Sequence, residues 1–324
     1  MKSGSPKGHF PNHPRIIFMG TPDFALPTLK ALIRHGEDIV TVVTQPDRPK
    51  GRGKKMTPPP VKQLALDKKI EILQPEKVSD SHFCDLIEKK EPDLIVVIAF
   101  GQILKKRLLD IPIWGAINIH ASLLPKYRGA APIQTAILND EEKTGLTVMR
   151  MDEGLDTGPI LLQEECAILE EETAGHLHDR LALKAGDFMI EWLNQMSNQL
   201  IEERPQDHIA ASYAPKIEKG ISLIDWQQPA SRVSALIRAL DPKPGAYTIW
   251  QDKKIKLFSS GITNERRFGM IPGKVVNQGE EGLVIETGQG AVKVREMQYP
   301  GKKRLPVKDF LRGTSLPEGT ILGS

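Results

Sequence analysis

The chain has 324 residues, more than one compact domain usually holds, so two domains are expected. Its 40% hydrophobic and 26% charged residues are ordinary for a globular protein and argue against extensive disorder. No run approaches the roughly 18 apolar residues of a membrane span, the start Met1-Lys2-Ser3 lacks a signal-peptide core, and Cys84 and Cys166 stand far apart. We therefore expect a cytoplasmic protein without a disulfide framework or a zinc site.

The net charge of +3 is unevenly distributed along the chain. From Tyr213 onward there are 18 Lys and Arg against 11 Asp and Glu, an excess of +7. Residues 1–212 carry 26 against 30, a balance of −4. A modest basic excess is often only a solvated surface, but it also fits a polyanionic partner, and both interpretations stay open here.

The amino-terminal half alternates short apolar runs with helical patterns. Runs 16–19, 39–43 and 94–98 predict strands, with a helix over 25–35 after the first. Continuous apolar strands are typical of a mainly parallel sheet with helices on both faces, which binds ligands at the carboxyl ends of its strands. The first turn has no Gly-x-Gly-x-x-Gly and no Walker pattern, which disfavours a dinucleotide site. The predicted fold class is α/β, with a Rossmann-like sheet.

The carboxyl-terminal half changes character. A helix is predicted from a cap at Thr173 to about Leu200, and the polar residues that follow are expected to form a linker. From Lys216 a short helix over 231–239 precedes several β-like segments separated by Gly and Pro, which predicts a small OB-like β-barrel that commonly binds nucleic acid. The expected domains are a flexible lead-in over 1–14, a first domain over 15–200, a linker over 201–215 and a second domain over 216–324.

The most informative motif is Asn118-Ile119-His120, at the end of an apolar, β-prone segment. Asn118 and His120 are two residues apart, so they should lie on one face of a strand, and Asp156 follows thirty-six residues after His120 in a Gly-bearing acidic loop. An amide can hydrogen-bond a carbonyl oxygen, an imidazole can donate or take a proton, and a carboxylate can orient that imidazole. Each residue alone is more often a cap, a turn residue or a satisfied buried group. Together they predict a site for carbonyl transfer.

The residues that follow this motif indicate a family. With Ser122-Leu123-Leu124-Pro125 and the following Arg128-Gly129-Ala130-Ala131-Pro132-Ile133, the pattern resembles the folate-dependent formyltransferases, and the resemblance extends from about residue 15 through the second domain. The resemblance implies transfer of a formyl group from 10-formyltetrahydrofolate to an amine, with no metal. It implies that Asn118 and His120 stabilise an oxyanion, and that Asp156 holds His120 and positions a proton-relaying water.

The resemblance also implies a folate site after the strand over 94–98, with the loop before Asp156 on its other side. Core packing is an equal alternative for Ile103 and Leu104, because pocket walls and cores use the same residues. The predicted folate-binding residues are Phe100, Gly101, Gln102, Ile103, Leu104, Ser122, Leu123, Leu124, Pro125, Asp152 and Glu153.

Residues 45–56 form a second informative stretch, with five basic residues, two Gly and two Pro. This composition predicts no regular structure, and the loop exceeds the usual 2–6 residues of a βα connection. It is either a solvated loop or a phosphate-binding one. In members of the family that act on tRNA, such a loop meets the acceptor stem, which implies methionyl-initiator tRNA as the partner and Arg52 as the leading contact.

The predicted tRNA-binding residues are Gly20, Thr21, Phe24, Arg48, Arg52, Lys54, Lys55, Lys302, Lys303 and Arg304. For Phe24 a core aromatic is an alternative, and for the run at 302–304 a solvated turn is one. Three other functions are weighed: a formyltransferase acting on a glycinamide ribonucleotide or an amino-sugar nucleotide, a hydrolase of 10-formyltetrahydrofolate, and a noncatalytic tRNA-binding protein. The basic loop and basic second domain favour a tRNA acceptor, and the resemblance implies a monomer.

Overall fold

The computed structural model describes residues 9–50, 53, 55–198, 201–263, 271–279 and 281–323. The chain divides into two compact units. The first comprises Met1–Gly129, Gly145–Cys166 and His178–Tyr213, and the second comprises Ala130–Thr144, Ala167–Leu177 and Ala214–Ser324.

Strands and helices alternate through the first half, and strands dominate the second. The strands are β1 Arg15–Gly20, β2 Asp38–Val43, β3 Arg48–Lys50, β4 Lys55–Thr57, β5 Ile72–Leu73, β6 Leu94–Ile98, β7 Ala116–His120, β8 Arg128–Gly129, β9 Lys143–Arg150, β10 Ile160–Ala167, β11 Tyr213–Ala214, β12 Ala246–Trp250, β13 Lys253–Thr263, β14 Val275–Gly279, β15 Gly282–Glu286, β16 Ala291–Gln298 and β17 Arg304–Pro306. The helices are α1 Leu26–His35, α2 Pro60–Asp67, α3 Ser81–Glu88, α4 Lys106–Leu109, α5 Pro132–Leu138, α6 Ala174–Ser197, α7 Ala230–Ala239 and α8 Val307–Gly313. Short 3-10 turns lie at Asp23–Ala25 and Lys219–Ser222.

The first unit is built on a seven-stranded sheet in the order β10-β9-β7-β6-β1-β2-β5. Strand β1 runs parallel to β2 and β6, and β6 runs parallel to β7, whereas β9 runs antiparallel to β7. All five residues of β6 are buried, as expected for a strand covered on both faces. The mainly parallel α/β sheet predicted from the apolar runs is confirmed. Its carboxyl edge brings together the ends of β1, β6 and β7.

The helix ends follow local rules. Helix α1 ends at Gly36, whose φ of 85° is the left-handed conformation that glycine adopts at low cost. Helix α6 begins after Thr173, whose Oγ1 accepts a hydrogen bond from the His176 amide at 3.2 Å, so the predicted cap is confirmed. No helix in the described ranges combines the length and apolar character needed to cross a membrane.

The second unit contains an antiparallel sheet in the order β12-β13-β16-β15-β14, and β17 pairs with Glu296–Gln298, the end of β16 that lies beyond its pairing with β15. This sheet curls into a half-barrel around a core that includes Trp226, Ile237, Leu257, Val294 and Phe310. Helix α7 starts one residue before the predicted helix, and β12 and β15 have the bounds of the β-like segments that the sequence predicts at 246–250 and 282–286. The small OB-like barrel expected from closely spaced Gly and Pro is therefore confirmed as a fold class.

The basic stretch after β2 contradicts one expectation. It was predicted to lack regular structure, but β3 and β4 pair as a two-stranded antiparallel ribbon, with Arg48 opposite Thr57 and Lys50 opposite Lys55. Pro49 is tolerated because a two-stranded ribbon leaves one edge of each strand without a partner, where a proline need not donate. Arg52 and Lys54 lie outside the described residues.

The expected flexible lead-in is also corrected where the structure describes it. Phe10 is only 3% exposed. Its ring packs edge-on against Trp114, with centroids 5.2 Å apart, and against Trp192 at 5.9 Å. The sequence did not predict the burial of Phe10, because its Gly, Pro and His neighbours form no periodic apolar pattern.

The Phe10 anchor predicts a measurable loss of stability on truncation. Phe10→Ala should lower the free energy of unfolding by about 3–5 kcal/mol, because a buried ring is removed and a cavity is left. Chemical denaturation measures this change. Asn12→Ala is the matched control, since Asn12 is exposed and its replacement should shift stability by less than about 0.5 kcal/mol. Equal behaviour of the two variants would mean that the Phe10 ring contributes nothing.

Candidate active site

Strand β7 carries Asn118 and His120 to the carboxyl edge of the parallel sheet. Asn118 lies opposite Val97 of β6 and Met149 of β9, and His120 is the last residue of the strand. The His120 side chain is buried and Asn118 is half-buried. Within the described part of the chain, the Asn118 side-chain amide has no hydrogen-bond partner. Its donors are therefore available to a substrate oxygen.

One hydrogen bond assigns the protonation of the neutral His120 ring. Nε2 lies 2.8 Å from the Tyr127 carbonyl oxygen. A carbonyl only accepts, so Nε2 carries the proton and donates it, which leaves Nδ1 with a free lone pair in the neutral imidazole. Nδ1 faces the Asp156 carboxylate, with Oδ2 at 3.7 Å, a distance at which charges attract but which is too long for a hydrogen bond.

Asp156 is held by the backbone. Its Oδ2 accepts a hydrogen bond from the Gly129 amide at 2.8 Å, and its own φ of 53° is left-handed, a conformation that Asp tolerates better than most residues. The preceding turn is closed by Asp152, whose carboxylate accepts from the Gly154 amide at 3.0 Å and from Thr157 Oγ1 at 2.7 Å. A Cβ at Gly158 would lie 1.9 Å from the Arg150 carbonyl oxygen, so this loop requires glycine there.

These contacts modify the expected role of Asp156. The sequence predicted that Asp156 holds His120, but the Tyr127 carbonyl orients the ring and Asp156 faces the opposite nitrogen. An imidazolium formed by proton transfer to Nδ1 would lie 3.7 Å from a carboxylate oxygen of opposite charge. The set can therefore accept a proton at Nδ1, stabilise the resulting imidazolium and donate a hydrogen bond from Asn118. Sequence reasoning missed Tyr127 and Gly129 because they act through backbone atoms.

The segment after His120 is held in place by hydrogen bonds. Thr147 Oγ1 donates to the Ser122 carbonyl at 2.7 Å and accepts from the Leu124 amide at 3.2 Å. Ser122 Oγ donates to the Lys126 carbonyl at 2.6 Å, and Leu124 is 3% exposed. Ser122 and Leu124 thus fix the chain path toward Tyr127, while Leu123 and Pro125 are half-buried.

The segment after β6 divides between core and surface. Phe100 and Leu104 are buried in the core of the first unit, whereas Ile103 is 66% exposed. Gln102 accepts from the Val78 amide at 2.9 Å through Oε1 and is thereby tied to the neighbouring loop. Leu104 is therefore a core residue, as the alternative interpretation expected, whereas the exposed Ile103 is not. Gly101 has a φ of 86° and is exposed, as are Asp152 and Glu153.

The turn after β1 is packed tightly. A Cβ at Gly20 would come within 2.8 Å of the Ala25 Cβ, so only glycine fits. Thr21 Oγ1 donates to the Phe100 carbonyl at 3.2 Å, which ties the β1 and β6 ends together. Phe24 is 6% exposed and packs edge-on against His178 at 5.2 Å. Phe24 is therefore a buried core aromatic, the second of its two interpretations.

The β3–β4 ribbon is fixed at its base by Asp47. Lys62 Nζ lies 2.8 Å from both Asp47 carboxylate oxygens, and Gln74 Nε2 donates to Oδ1 at 2.8 Å. The hydrogen bonds from Lys62 and then from Gln74 lower the pKa of Asp47 below its ordinary value. On the ribbon itself, Arg48 and Lys55 are exposed.

The basic run of the second unit does not act as one surface. Lys302 and Lys303 are exposed, but the Arg304 guanidinium donates to both oxygens of buried Asp241, at 2.6 and 3.1 Å, and to Glu296. It also lies 4.2 Å above the Phe258 ring. Burial alone would lower the pKa of Arg304, but the bonds to Asp241 and Glu296 raise it. The expectation that Arg304 contacts phosphate is therefore not supported, because its donors are already used inside the unit.

Comparisons with known proteins fit this arrangement. Residues 14–193 match the family model described as "Formyl transferase", and residues 216–315 match "Formyl transferase, C-terminal domain". A relative from Pelotomaculum thermopropionicum named "Methionyl-tRNA formyltransferase" is 47% identical over 95% of this chain and 98% of its own length. One of the same name from Syntrophus aciditrophicus is 48% identical over 95% and 98%.

Solved structures share the fold. The methionyl-tRNA formyltransferase from Clostridium thermocellum aligns with a TM-score of 0.55 at 16% identity, covering 78% of this chain and 94% of that one. The sugar 3N-formyl transferase WlaRD aligns with a TM-score of 0.65 at 22% identity, covering 91% and 100%. The chain belongs to the formyltransferases and, within them, to the methionyl-tRNA formyltransferase family. The resemblance stated from the sequence is confirmed.

Proposed function

We propose that this protein transfers a formyl group from 10-formyltetrahydrofolate to the α-amino group of methionyl-initiator tRNA, giving formylmethionyl-tRNA and tetrahydrofolate. The observation that carries the proposal is the placement of Asn118 and His120 two residues apart at the end of β7, with Asp156 3.7 Å from the His120 ring, in a chain of this family. An amide donor, an imidazole and a carboxylate can together catalyse acyl transfer to an amine, as oxyanion donor, general base and charge partner.

The chemistry divides between Asn118 and His120. As the amine attacks the formyl carbon, negative charge develops on the formyl oxygen, and the Asn118 amide, which has no partner among the described residues, donates to it. The attacking nitrogen must lose a proton, and Nδ1 of His120 is the free lone pair in the site. The imidazolium so formed lies beside the Asp156 carboxylate, and it can return the proton to the departing folate nitrogen.

The donor side of the proposal rests on the segment after β6. We place the folate along Gly101, Gln102 and the exposed Ile103, with Asp152 and Glu153 on the opposite loop. Backbone groups of Phe100, Leu104, Leu123 and Pro125 would shape that pocket. Two structures that share the fold were solved with folates, HypX from Aquifex aeolicus with tetrahydrofolic acid and WlaRD in the presence of 5-N-formyl-THF, which supports this choice of donor.

The acceptor side rests on exposed cations. Arg48 and Lys55 stand on a ribbon that Asp47 anchors, and the proposal extends to Arg52 and Lys54 between them. Arg52 is the leading candidate because a planar guanidinium can contact either phosphates or a base edge. Gly20 and Thr21 would border the amino acid. In the second unit, Lys302 and Lys303 are the candidates for phosphate contact.

A transfer assay tests donor and acceptor together. Purified protein with labelled 10-formyltetrahydrofolate should formylate methionyl-initiator tRNA, and it should leave uncharged tRNA and free methionine unmodified. Release of formate without tRNA would identify a hydrolase instead. Transfer to a glycinamide ribonucleotide or an amino-sugar nucleotide, with none to tRNA, would identify another formyltransferase. Absence of any turnover with retained tRNA binding would leave a noncatalytic tRNA-binding protein.

Replacement of the reacting groups gives the sharpest prediction for the mechanism. His120→Ala, Asn118→Ala and Asp156→Ala should each reduce kcat by at least ~10², because each acts on the transition state. The losses should be far from additive when variants are combined, since the three groups serve one step. Steady-state kinetics with saturating donor and acceptor measure this. A variant with near-normal kcat would remove its residue from the mechanism.

The exposed Lys302 and Lys303 of the second unit predict that the affinity for tRNA depends on salt concentration. Each neutralised duplex phosphate contributes roughly −0.9 to the slope of log affinity against log salt, so replacing Lys302 and Lys303 together by Ala should flatten the slope by about one to two. Donor affinity should not change. Lys68 and Lys69, another exposed adjacent pair, provide the control double variant. If both double variants behave like wild type, the phosphate contacts lie elsewhere on the chain.

A further inference from the structure

We infer that Gln206, backed by Arg128, is a positioning residue for the reaction, and that the segment expected to be a linker is part of the active site. This inference deepens the proposed function and acts on the same groups. It rests on hydrogen bonds within the first unit that converge on Asp156 and on Tyr127, the two residues that face opposite nitrogens of His120.

Gln206 hydrogen-bonds the backbone of the turn that contains Asp156. Its Nε2 donates to the Asp156 carbonyl at 2.9 Å and to the Gly158 carbonyl at 2.7 Å, and its side chain is buried. One amide group thus spans both sides of Thr157. The segment is itself anchored two residues earlier, where Arg204 and Ile160 exchange backbone hydrogen bonds at 2.8 and 2.9 Å. Gln206 is therefore a fixed support for the Asp156 turn.

Arg128 fixes the other end of Gln206. Its guanidinium, in a residue only 2% exposed, donates to Gln206 Oε1 from Nη2 at 2.7 Å and from Nε at 3.1 Å. With Oε1 held in this way, the amide nitrogen must point at the two carbonyls. Arg128 also stands between the two residues that touch the reacting pair, since Tyr127 accepts from His120 and Gly129 donates to Asp156.

The same segment supports Tyr127 through Ser212. Ser212 Oγ accepts from the Tyr127 amide at 2.9 Å, and its carbonyl accepts from the Arg128 amide at 2.8 Å. Both nitrogens of His120 thus depend on residues 204–212, one through Tyr127 and one through Asp156. This support is needed because His120 and Asp156 are 3.7 Å apart and make no direct hydrogen bond that would set their geometry.

Gln206→Glu separates positioning from folding. A carboxylate still pairs with Arg128, so that buried cation keeps a partner, but the two donors to the Asp156 and Gly158 carbonyls are lost. We expect kcat to fall about 10-fold or more from displacement of Asp156, with KM for donor and acceptor changed by less than about twofold. Gln195→Glu makes the same chemical change on α6, where Nε2 donates to Glu191, and should leave kcat unchanged.

A double-mutant comparison tests whether Gln206 acts through Asp156. In an Asp156→Asn background, which suits the left-handed backbone and removes the charge, adding Gln206→Glu should change kcat by less than about twofold. An equal loss of kcat in both backgrounds would overturn the inference, because Gln206 would then act by another route. A wild-type rate in the single variant would overturn it as well.

Amide hydrogen exchange gives a readout that does not depend on activity. The Gly129 amide donates to Asp156 Oδ2, so it should exchange faster in Gln206→Glu, whereas the neighbouring Arg128 amide, bound to Ser212, should stay protected. Unchanged Gly129 protection would refute the positioning role even if the protein formylates another acceptor. If Gln206→Glu does not fold, Gln206→Met, which also lacks the donors, is measured in its place, and failure of both to fold would assign Gln206 a structural role.

Discussion

The chemistry proposed for this site depends on the hydrogen bond from His120 Nε2 to the Tyr127 carbonyl. At 2.8 Å it fixes the ring plane and commits the proton of the neutral ring to one nitrogen. The other nitrogen, Nδ1, then faces the carboxylate of Asp156 at 3.7 Å. Were Nε2 free, Asp156 would hold a proton on Nδ1, and the ring would offer its lone pair on the wrong side. A backbone carbonyl, seven residues along the chain, thus decides which atom of His120 can act as base.

The sheet explains why these groups meet. β1, β6 and β7 run parallel side by side, so their carboxyl ends lie at one edge, and the chain leaves that edge in three loops. Thr21 binds the Phe100 carbonyl between two of those loops, and the Asp156 loop returns to the third through Gly129. Glycine is required at Gly20 and Gly158 because a Cβ would clash with neighbouring atoms. Hydrogen bonds thus tie the loops at this edge to one another, and among the described residues the Asn118 side-chain amide beside them has no partner.

The sequence predicted those parts of the molecule that depend on side-chain pattern. Apolar runs predicted the parallel strands, Thr173 predicted a helix start, and residue type predicted that Asn118, His120 and Asp156 share a site. It could not predict partners that are backbone atoms, such as the Tyr127 carbonyl and the Gly129 amide, because every residue has them. It also failed where tertiary contacts override local composition. Phe10 sits among turn-forming residues yet is buried, and Gln206 lies in a polar segment yet supports Asp156.

The charge of Arg304 is a further case in which tertiary contacts override local composition. Three consecutive basic residues contribute equally to the net charge, but only Lys302 and Lys303 project into solvent. Arg304 turns toward Asp241, whose carboxylate is 3% exposed and would be a costly buried anion without a cation beside it. A basic excess in sequence therefore overestimates the charge available to a polyanion, since part of it neutralises buried carboxylates. In this run, only the exposed Lys302 and Lys303 remain available to the phosphates of the proposed tRNA partner, and as point charges they would carry little sequence information.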